Sequence, residues 1–188
     1  MGCFYHFFKI IRLGKPNDFA QPAGMIGPAV TYSFTGGMSP RKKESAYLHL
    51  PTYAAGIVYH LGTFISIALF FCFLSDLLFS RGINFIFSAF LLLSGCCGIG
   101  VFIKRIVKPN LRSLSNPDDY ISNLLVTAFQ MGTAVFLFFP NPSYFVLAAL
   151  LMLYFPAGKL KHAVNFFAAR YQLGVFFGRR GVWPPENE

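Results

Sequence analysis

The stretch INFIFSAFLLLSGCCGIGVFIKRIV, residues 83–107, decides the fold class, because it contains no charged residue before Lys104. About 20 consecutive apolar residues in a helix cross the ~30 Å hydrocarbon core of a bilayer. Similar apolar runs cover about 53–78, 121–139 and 144–161. A soluble helical bundle would need a polar face on each helix, and these runs have almost none. The sequence therefore predicts an all-α integral membrane protein with a four-transmembrane-helix bundle.

The composition leads to the same fold class. The chain is 55% hydrophobic and 12% charged, with a mean hydropathy of +0.53, whereas soluble domains are about 25% charged. The net charge of +9 would suit a nucleic-acid partner if a soluble face carried it. Here the basic residues flank the apolar runs instead, which is the pattern of a membrane protein. We therefore expect the bilayer as a partner and no nucleic acid.

The distribution of positive charge predicts the topology. With four spans, fifteen of the sixteen Lys and Arg residues lie in three segments on one side, and only Arg81 lies on the other. The positive-inside rule then places both termini in the cytoplasm. The two outer loops, residues 80–82 and 140–143, are too short to carry a domain, so a large partner would dock from the cytoplasm. The fifteen residues are Lys9, Arg12, Lys15, Arg41, Lys42, Lys43, Lys104, Arg105, Lys108, Arg112, Lys159, Lys161, Arg170, Arg179 and Arg180.

The chain divides into three predicted parts. Residues 1–51 begin with a short helix at the membrane surface, Phe4 to Leu13, and continue as a Gly- and Pro-rich cytoplasmic loop. Residues 52–165 form the four-helix membrane domain, and residues 166–188 form a cytoplasmic tail. The four cysteines lack the spacing of a disulfide framework or a metal site, so we interpret them as packing residues.

Two histidines are the candidate ligands of a metal cofactor. Ionisable residues inside a membrane are costly and mark functional sites. His60 near the start of the first span and His162 at the end of the fourth both fall in the cytoplasmic half. Two imidazoles at one depth on different helices suit the axial coordination of a haem. Alternatively, His60 bonds a neighbouring helix and His162 lies in the interface. His49 and His6 are expected outside the hydrocarbon.

Other residues near this depth have two interpretations. Gly95 and Gly98, on the second run, permit the close approach of either a helix or a flat macrocycle. Arg105 and Lys159 either pair with haem propionates or only anchor the helices. For a quinone, Gln130 lies nearly mid-membrane and carries an amide that can bond a quinone carbonyl, unless it bonds a neighbouring helix. Asp76 and Arg81 are the alternative quinone residues, at the outer surface.

The residues around the two histidines resemble a known family. Tyr59-His60-Leu61-Gly62 is similar to the haem-ligating helix of the gamma subunit of respiratory nitrate reductase. The run YFPAGKLKH, residues 154–162, resembles the end of that family's last helix, and the tail from Arg170-Tyr171 to Gly181 is also similar. The same membrane module occurs in the cytochrome b subunits of heterodisulfide reductase and of sulfite-reductase-associated complexes. The resemblance covers roughly residues 45–185.

The resemblance implies one haem b, held by His60 and His162. Nitrate reductase gamma subunits carry two further histidines for an outer haem, and the corresponding regions here offer Phe70 and Tyr144. One helix at the N-terminus is also replaced by the loop. The single-haem form favours the heterodisulfide-reductase-like branch.

The predicted function is that of a membrane cytochrome b subunit in a respiratory redox complex of a prokaryotic inner membrane. It transfers electrons between membrane quinone and a cytoplasmic iron–sulfur partner, which is heterodisulfide-reductase-like or nitrate-reductase-like. The sequence shows no carboxylate pair, activated nucleophile or phosphate loop, so the chain is predicted to be an electron-transfer subunit rather than a catalytic one. The alternative is a haem-free membrane anchor or a small transporter subunit, although a transporter would show more polar residues along a pathway.

Overall fold

The computed structural model describes residues 2–13, 19–39, 49–77 and 79–185. Within these ranges 80% of the residues are helical and no strand forms, so the all-α prediction is confirmed. The α-helices of the described ranges are α1 (Gly2–Leu13), α2 (Ile26–Phe34), α3 (Leu50–Leu74), α4 (Arg81–Val107), α5 (Pro109–Ser113), α6 (Pro117–Phe136), α7 (Ser143–Tyr154) and α8 (His162–Arg179), with short 3-10 helices at Gly36–Met38 and Lys159–Lys161.

The chain folds as two compact units. The central unit is His49–Lys159, and the terminal unit combines Met1–Leu48 with Leu160–Glu188. Each unit is described by itself below.

Two helices of the described residues are long and apolar enough to cross a membrane. They are α3, with 25 residues, and α4, with 27 residues. Only 17% of the most apolar window of α3 and 28% of that of α4 is buried, so most of this apolar surface faces outward and needs an apolar solvent. A third crossing is counted if α7 and the helices after it form one broken span. The chain thus has the character of a multi-pass membrane protein.

The first predicted run, 53–78, is helical only as far as Leu74, because the backbone forms a turn after that residue. Asp76 has a φ of 52°, in the left-handed region that ends many helices. The Leu77 N–H bonds the Cys72 carbonyl at 3.0 Å and the Asp76 N–H bonds the Phe73 carbonyl at 3.2 Å. These two bonds form a Schellman motif, which satisfies the last carbonyl groups of α3.

Replacing Asp76 by glycine is expected to raise the free energy of unfolding by about 0.5 kcal/mol. Glycine removes the steric cost of a left-handed L-residue, ~1–2 kcal/mol, and this gain exceeds its extra backbone entropy in the unfolded chain. Asp76→Ala should lower the same free energy, because alanine tolerates this region less well than aspartate. Unfolding of both variants in mixed micelles measures the two shifts, and shifts of the same sign would contradict the role of the turn.

The predicted fourth run, 144–161, is not one continuous helix. Helix α7 has 12 residues and ends at Tyr154, two residues before Pro156. Proline lacks an N–H, so residue 156 cannot donate to the carbonyl four residues earlier, and the helix ends although Phe155 keeps helical dihedral angles. At 1.5 Å per residue, α7 reaches about 18 Å, which is less than a bilayer core.

The most polar of the three long helices of the central unit, α6, occupies its interior. Helix α6 packs against α3, α4 and α7, and its buried face carries Asp119, Ser122, Thr127, Gln130 and Thr133. Its 20 residues are long enough to cross a bilayer, but α6 is not among the helices apolar enough to do so by composition. Side chains that would be costly in lipid therefore face other helices.

The helices of the central unit alternate in direction. The start of α6 and the end of α4 meet through Asp119 and Arg105, whose Nη1 lies 2.8 Å from Oδ1. At the opposite end, Asn84 near the start of α4 donates to the carbonyl of Leu137 just after α6, at 3.2 Å. This alternation is what successive membrane crossings produce.

The terminal unit contains a close helix pair that the sequence does not reveal. Residues 14–51 are predicted as a loop, but α2 lies within them and packs against α8 through small residues. A Cβ added at Gly174 would lie 2.5 Å from Val30 Cα, and one at Gly178 would lie 2.6 Å from Ala29 Cβ. Ser33 Oγ donates to the Arg170 carbonyl at 2.9 Å. This packing outweighs the helix-breaking composition of the segment.

Candidate functional site

His60 lies on the outward face of α3. Its side chain is exposed, as are Leu61 and Phe64 beside it. One turn earlier, a Cβ added at Gly56 would meet no atom within 4 Å. An imidazole therefore lies on an apolar helix surface next to open space at Gly56.

The other histidines occupy different places. His162 is exposed and is the first residue of α8 in the terminal unit. His49 is exposed at the start of α3, and His6 packs edge-on against Tyr5 with ring centroids 5.7 Å apart. Because His60 belongs to the central unit and His162 to the terminal unit, joint iron ligation by the pair stays a prediction. Among the described residues, no group of three or more His, Cys, Asp or Glu side chains is arranged to hold a metal ion.

Gln130 lies at the centre of a buried hydrogen-bond cluster just inside His60. The side chain is fully buried, and its Nε2 donates to the Tyr59 carbonyl at 3.0 Å and to Thr63 Oγ1 at 2.8 Å. Its Oε1 accepts from Ser94 Oγ at 2.7 Å. Both amide hydrogens and one lone pair are therefore committed to α3 and α4. A quinone carbonyl would have to displace one of these partners, so the structure places Gln130 in helix packing.

The tyrosine next to His60 joins the same cluster. Tyr59 Oη lies 3.0 Å from Thr127 Oγ1 and 3.1 Å from the Asn123 carbonyl, both on α6. Tyr59 and Thr63, which precede and follow His60 on α3, are thus both bonded to α6 from inside the bundle. The rotation of α3, and with it the outward direction of His60, is fixed by these bonds.

The glycines predicted to approach a macrocycle are filled by protein side chains. A Cβ added at Gly98 would lie 2.4 Å from the Tyr59 ring and 2.5 Å from Thr127 Oγ1, and one at Gly95 would lie 2.8 Å from Met131 Cε. Gly62 on α3 is equally close to Ser94. The structure therefore places Gly95 and Gly98 in helix packing, where small residues let α3, α4 and α6 approach each other.

Arg105 and Lys159 share one buried carboxylate. Asp119 is 7% exposed, and its Oδ1 accepts from both Arg105 and Lys159. Its Oδ2 accepts from the Asn116 N–H at 3.0 Å, which with the return bond forms a capping box at the start of α6. Haem propionates would compete with Asp119 for these two cations.

Phe70 and Tyr144, the residues at the positions of the absent outer ligands, meet in one aromatic cluster. Their ring centroids are 6.3 Å apart, and the Tyr144 ring lies nearly parallel to Phe129 at 5.8 Å. Phe136 packs against Tyr144 at 4.6 Å, and Tyr144 Oη lies 3.2 Å from Thr133 Oγ1. Packed rings fill this half of the central unit.

Asp76 and Arg81 lie in and just after the turn that joins α3 to α4. Both are exposed, Asp76 at the positive-φ position and Arg81 as the first residue of α4. The described structure brings no other predicted site residue to this turn, so a quinone site there stays a prediction.

Sequence reasoning missed Asp119, the charge that organises the cationic end of the central unit. A signal was present: Asn116-Pro117-Asp118-Asp119 is a helix start, with a capping residue, a proline at the first position and an acid at the third. The partners Arg105 and Lys159 are remote in sequence and carry no such signal.

Comparison of the chain with protein-family models, curated proteins and solved structures finds no match.

Proposed function

We propose that this chain is the membrane cytochrome b subunit of a redox complex. It would pass electrons between membrane quinone and a cytoplasmic iron–sulfur partner of the heterodisulfide-reductase or nitrate-reductase type. The observation that carries the proposal is the exposed imidazole of His60 on the outward apolar face of α3, beside the open surface at Gly56. Ionisable side chains within apolar helices are rare and mark functional sites. The resemblance of residues 59–62 and 154–162 supports the same assignment.

The residues proposed to hold a single haem b are His60 and His162 as iron ligands. When bound, the haem supplies one-electron chemistry that no side chain here provides. Tyr59 and Gln130 hold the His60 segment against α6, which keeps the imidazole on the outward face of α3. Arg105 and Lys159 are the cations proposed to contact the propionates, which would share them with Asp119. The aromatic cluster around Tyr144 supports a limit of one haem, since rings occupy the region of the missing second ligand pair.

The proposed topology has four crossings with both termini in the cytoplasm of a prokaryotic cell. The crossings are α3, α4, α6 and α7 with the segment that follows it. Two observations on the central unit support this arrangement. Its helices alternate in direction, and Lys104, Arg105, Lys108, Arg112 and Lys159 lie at one end while Arg81 lies at the other.

The alternative function is a haem-free membrane anchor. The mutual satisfaction of Gln130, Thr63 and Ser94 favours it, because these polar groups account for one another without a ligand. An anchor would use its outward faces only to hold partner subunits.

One spectrum separates the two functions. The chain purified from cells supplied with haem precursors should show the α-band and Soret shift of a six-coordinate haem b in a reduced-minus-oxidised spectrum, with about one haem per chain by pyridine haemochrome. Purified chain without haem under these conditions would favour the anchor, and two haems per chain would exclude the assignment of a single His pair.

The quinone prediction is tested at Gln130. If a quinone carbonyl displaces one of the Gln130 partners, Gln130→Leu slows quinol-dependent haem reduction while dithionite still reduces the haem fully. Because the residue also packs helices, Thr127→Val serves as the matched control, since it removes a polar group from the same buried cluster. Equal slowing in both variants would assign the effect to helix packing. If quinol-dependent haem reduction is slowed in Asp76→Asn or Arg81→Ala but not in Gln130→Leu, the quinone site lies at the outer turn.

A further inference from the structure

The connection between α4 and α6 carries positive charge that the structure leaves uncompensated. Lys104, Lys108 and Arg112 lie on or next to the end of α4 and on α5, and the last two are exposed. Lys104 donates to Thr52. The nearby carboxylate of Asp119 is already shared by two other cations. In the described part of the chain, neither Lys108 nor Arg112 pairs with a carboxylate.

Large apolar side chains are interleaved with these cations. Val107 is 68% exposed and Leu114 is 84% exposed, and Ile106 and Leu111 are also open. Contact of these four apolar side chains with water would cost roughly 25 cal/mol for each Å² of exposed apolar surface. Their place at the end of a 27-residue apolar helix puts them at the depth where a bilayer changes from hydrocarbon to headgroups.

We propose that this connection binds the phosphate groups of anionic phospholipids, with their acyl chains along the exposed end of α4. Alternating cationic and apolar side chains at the end of a span fit a lipid, because phosphate and hydrocarbon lie next to each other only in the headgroup region. An acidic protein surface would match the cations but would not cover apolar residues that continue into the span. The inference holds with or without haem, since it depends on the central unit alone.

The test compares lipids added to the purified full chain in neutral detergent. Phosphatidylglycerol should raise the apparent Tm and remain bound in native mass spectra, whereas phosphatidylcholine should do neither. Lys108→Gln/Arg112→Gln should weaken phosphatidylglycerol binding about fivefold for each cation removed. The matched control for the single variant Lys108→Gln is Arg81→Gln. It also removes one exposed positive charge, but at the other end of the central unit, and it should leave phosphatidylglycerol binding unchanged.

Three outcomes would overturn the proposal. Equal binding of the two lipids would show that charge does not select them. A phosphatidylglycerol preference that survives Lys108→Gln/Arg112→Gln, or that falls equally in Arg81→Gln, would place the lipid elsewhere. Binding of polyglutamate that depends on Lys108 and Arg112, without phosphatidylglycerol binding, would instead identify a docking surface for an acidic protein.

Discussion

Replacing His60 by alanine is expected to abolish haem incorporation into the purified chain, from about one haem to none. One remaining imidazole leaves the second axial position open, and a five-coordinate haem in detergent dissociates. His162→Ala should have the same effect. Because His60 and His162 are both exposed, alanine at either position leaves the buried packing intact. Pyridine haemochrome of the purified variants measures the loss, and circular dichroism verifies that the helix content is unchanged.

The matched controls are the two other histidines. His49→Ala and His6→Ala remove an imidazole from the start of α3 and from α1, and both should keep the full Soret band. Full haem retention in His60→Ala would remove that residue from the ligand set. A lost Soret band in His49→Ala would identify a ligand at the start of α3 instead.

The second large effect is expected at Asp119, where asparagine should lower the free energy of unfolding by about 2–3 kcal/mol, since hydrogen bonds to a charged group are lost while the two remaining cations are partly exposed. The substitution leaves Arg105 and Lys159 facing each other without their shared anion. It also weakens the capping box at the start of α6. Unfolding in mixed micelles, followed by circular dichroism, measures the change.

The neighbouring acid supplies the control for Asp119→Asn. Asp118→Asn removes the same charge from the same helical turn, but Asp118 contacts Ser122 only at 3.5 Å, so its cost should stay below about 1 kcal/mol. Replacing Asp119, Arg105 and Lys159 together by apolar residues should recover most of the loss, because no charge is then unpaired. A small effect of Asp119→Asn, equal to that of Asp118→Asn, would show that the cluster is not stabilising.

The boundaries of the helices were only partly predictable from local sequence. The runs at 53–78 and 83–107 correspond to α3 and α4 because a long apolar stretch has few alternatives to a membrane helix. Asp76 ends α3 through a left-handed backbone conformation, which aspartate adopts only in some turns. The residue type alone therefore did not predict the end of this helix. Pro156 was visible in the sequence, and a prediction that respected it would have ended α7 before the proline.

The candidate site was predictable only as far as single residues. A histidine within an apolar run is unusual enough to be noticed in the sequence, and His60 was predicted as a site residue for this reason. Which face of α3 it occupies depends on Gly62 and Tyr59 packing against Ser94 and Thr127, which are pairings between distant parts of the chain. Helix α2 was hidden for the same reason, since its small residues have a partner only in α8.

The inward-facing polarity of α6 has a consequence for biosynthesis. A segment with Asp119, Asn123 and Gln130 partitions poorly into lipid by itself, whereas α3 and α4 are apolar enough to enter individually. In the proposed four-crossing topology, helix α6 should therefore leave the translocation machinery only together with the α3–α4 hairpin, where Ser94 and the Tyr59 carbonyl bond Gln130. Nascent chains that lack α3 should leave α6 outside the membrane, accessible to added protease.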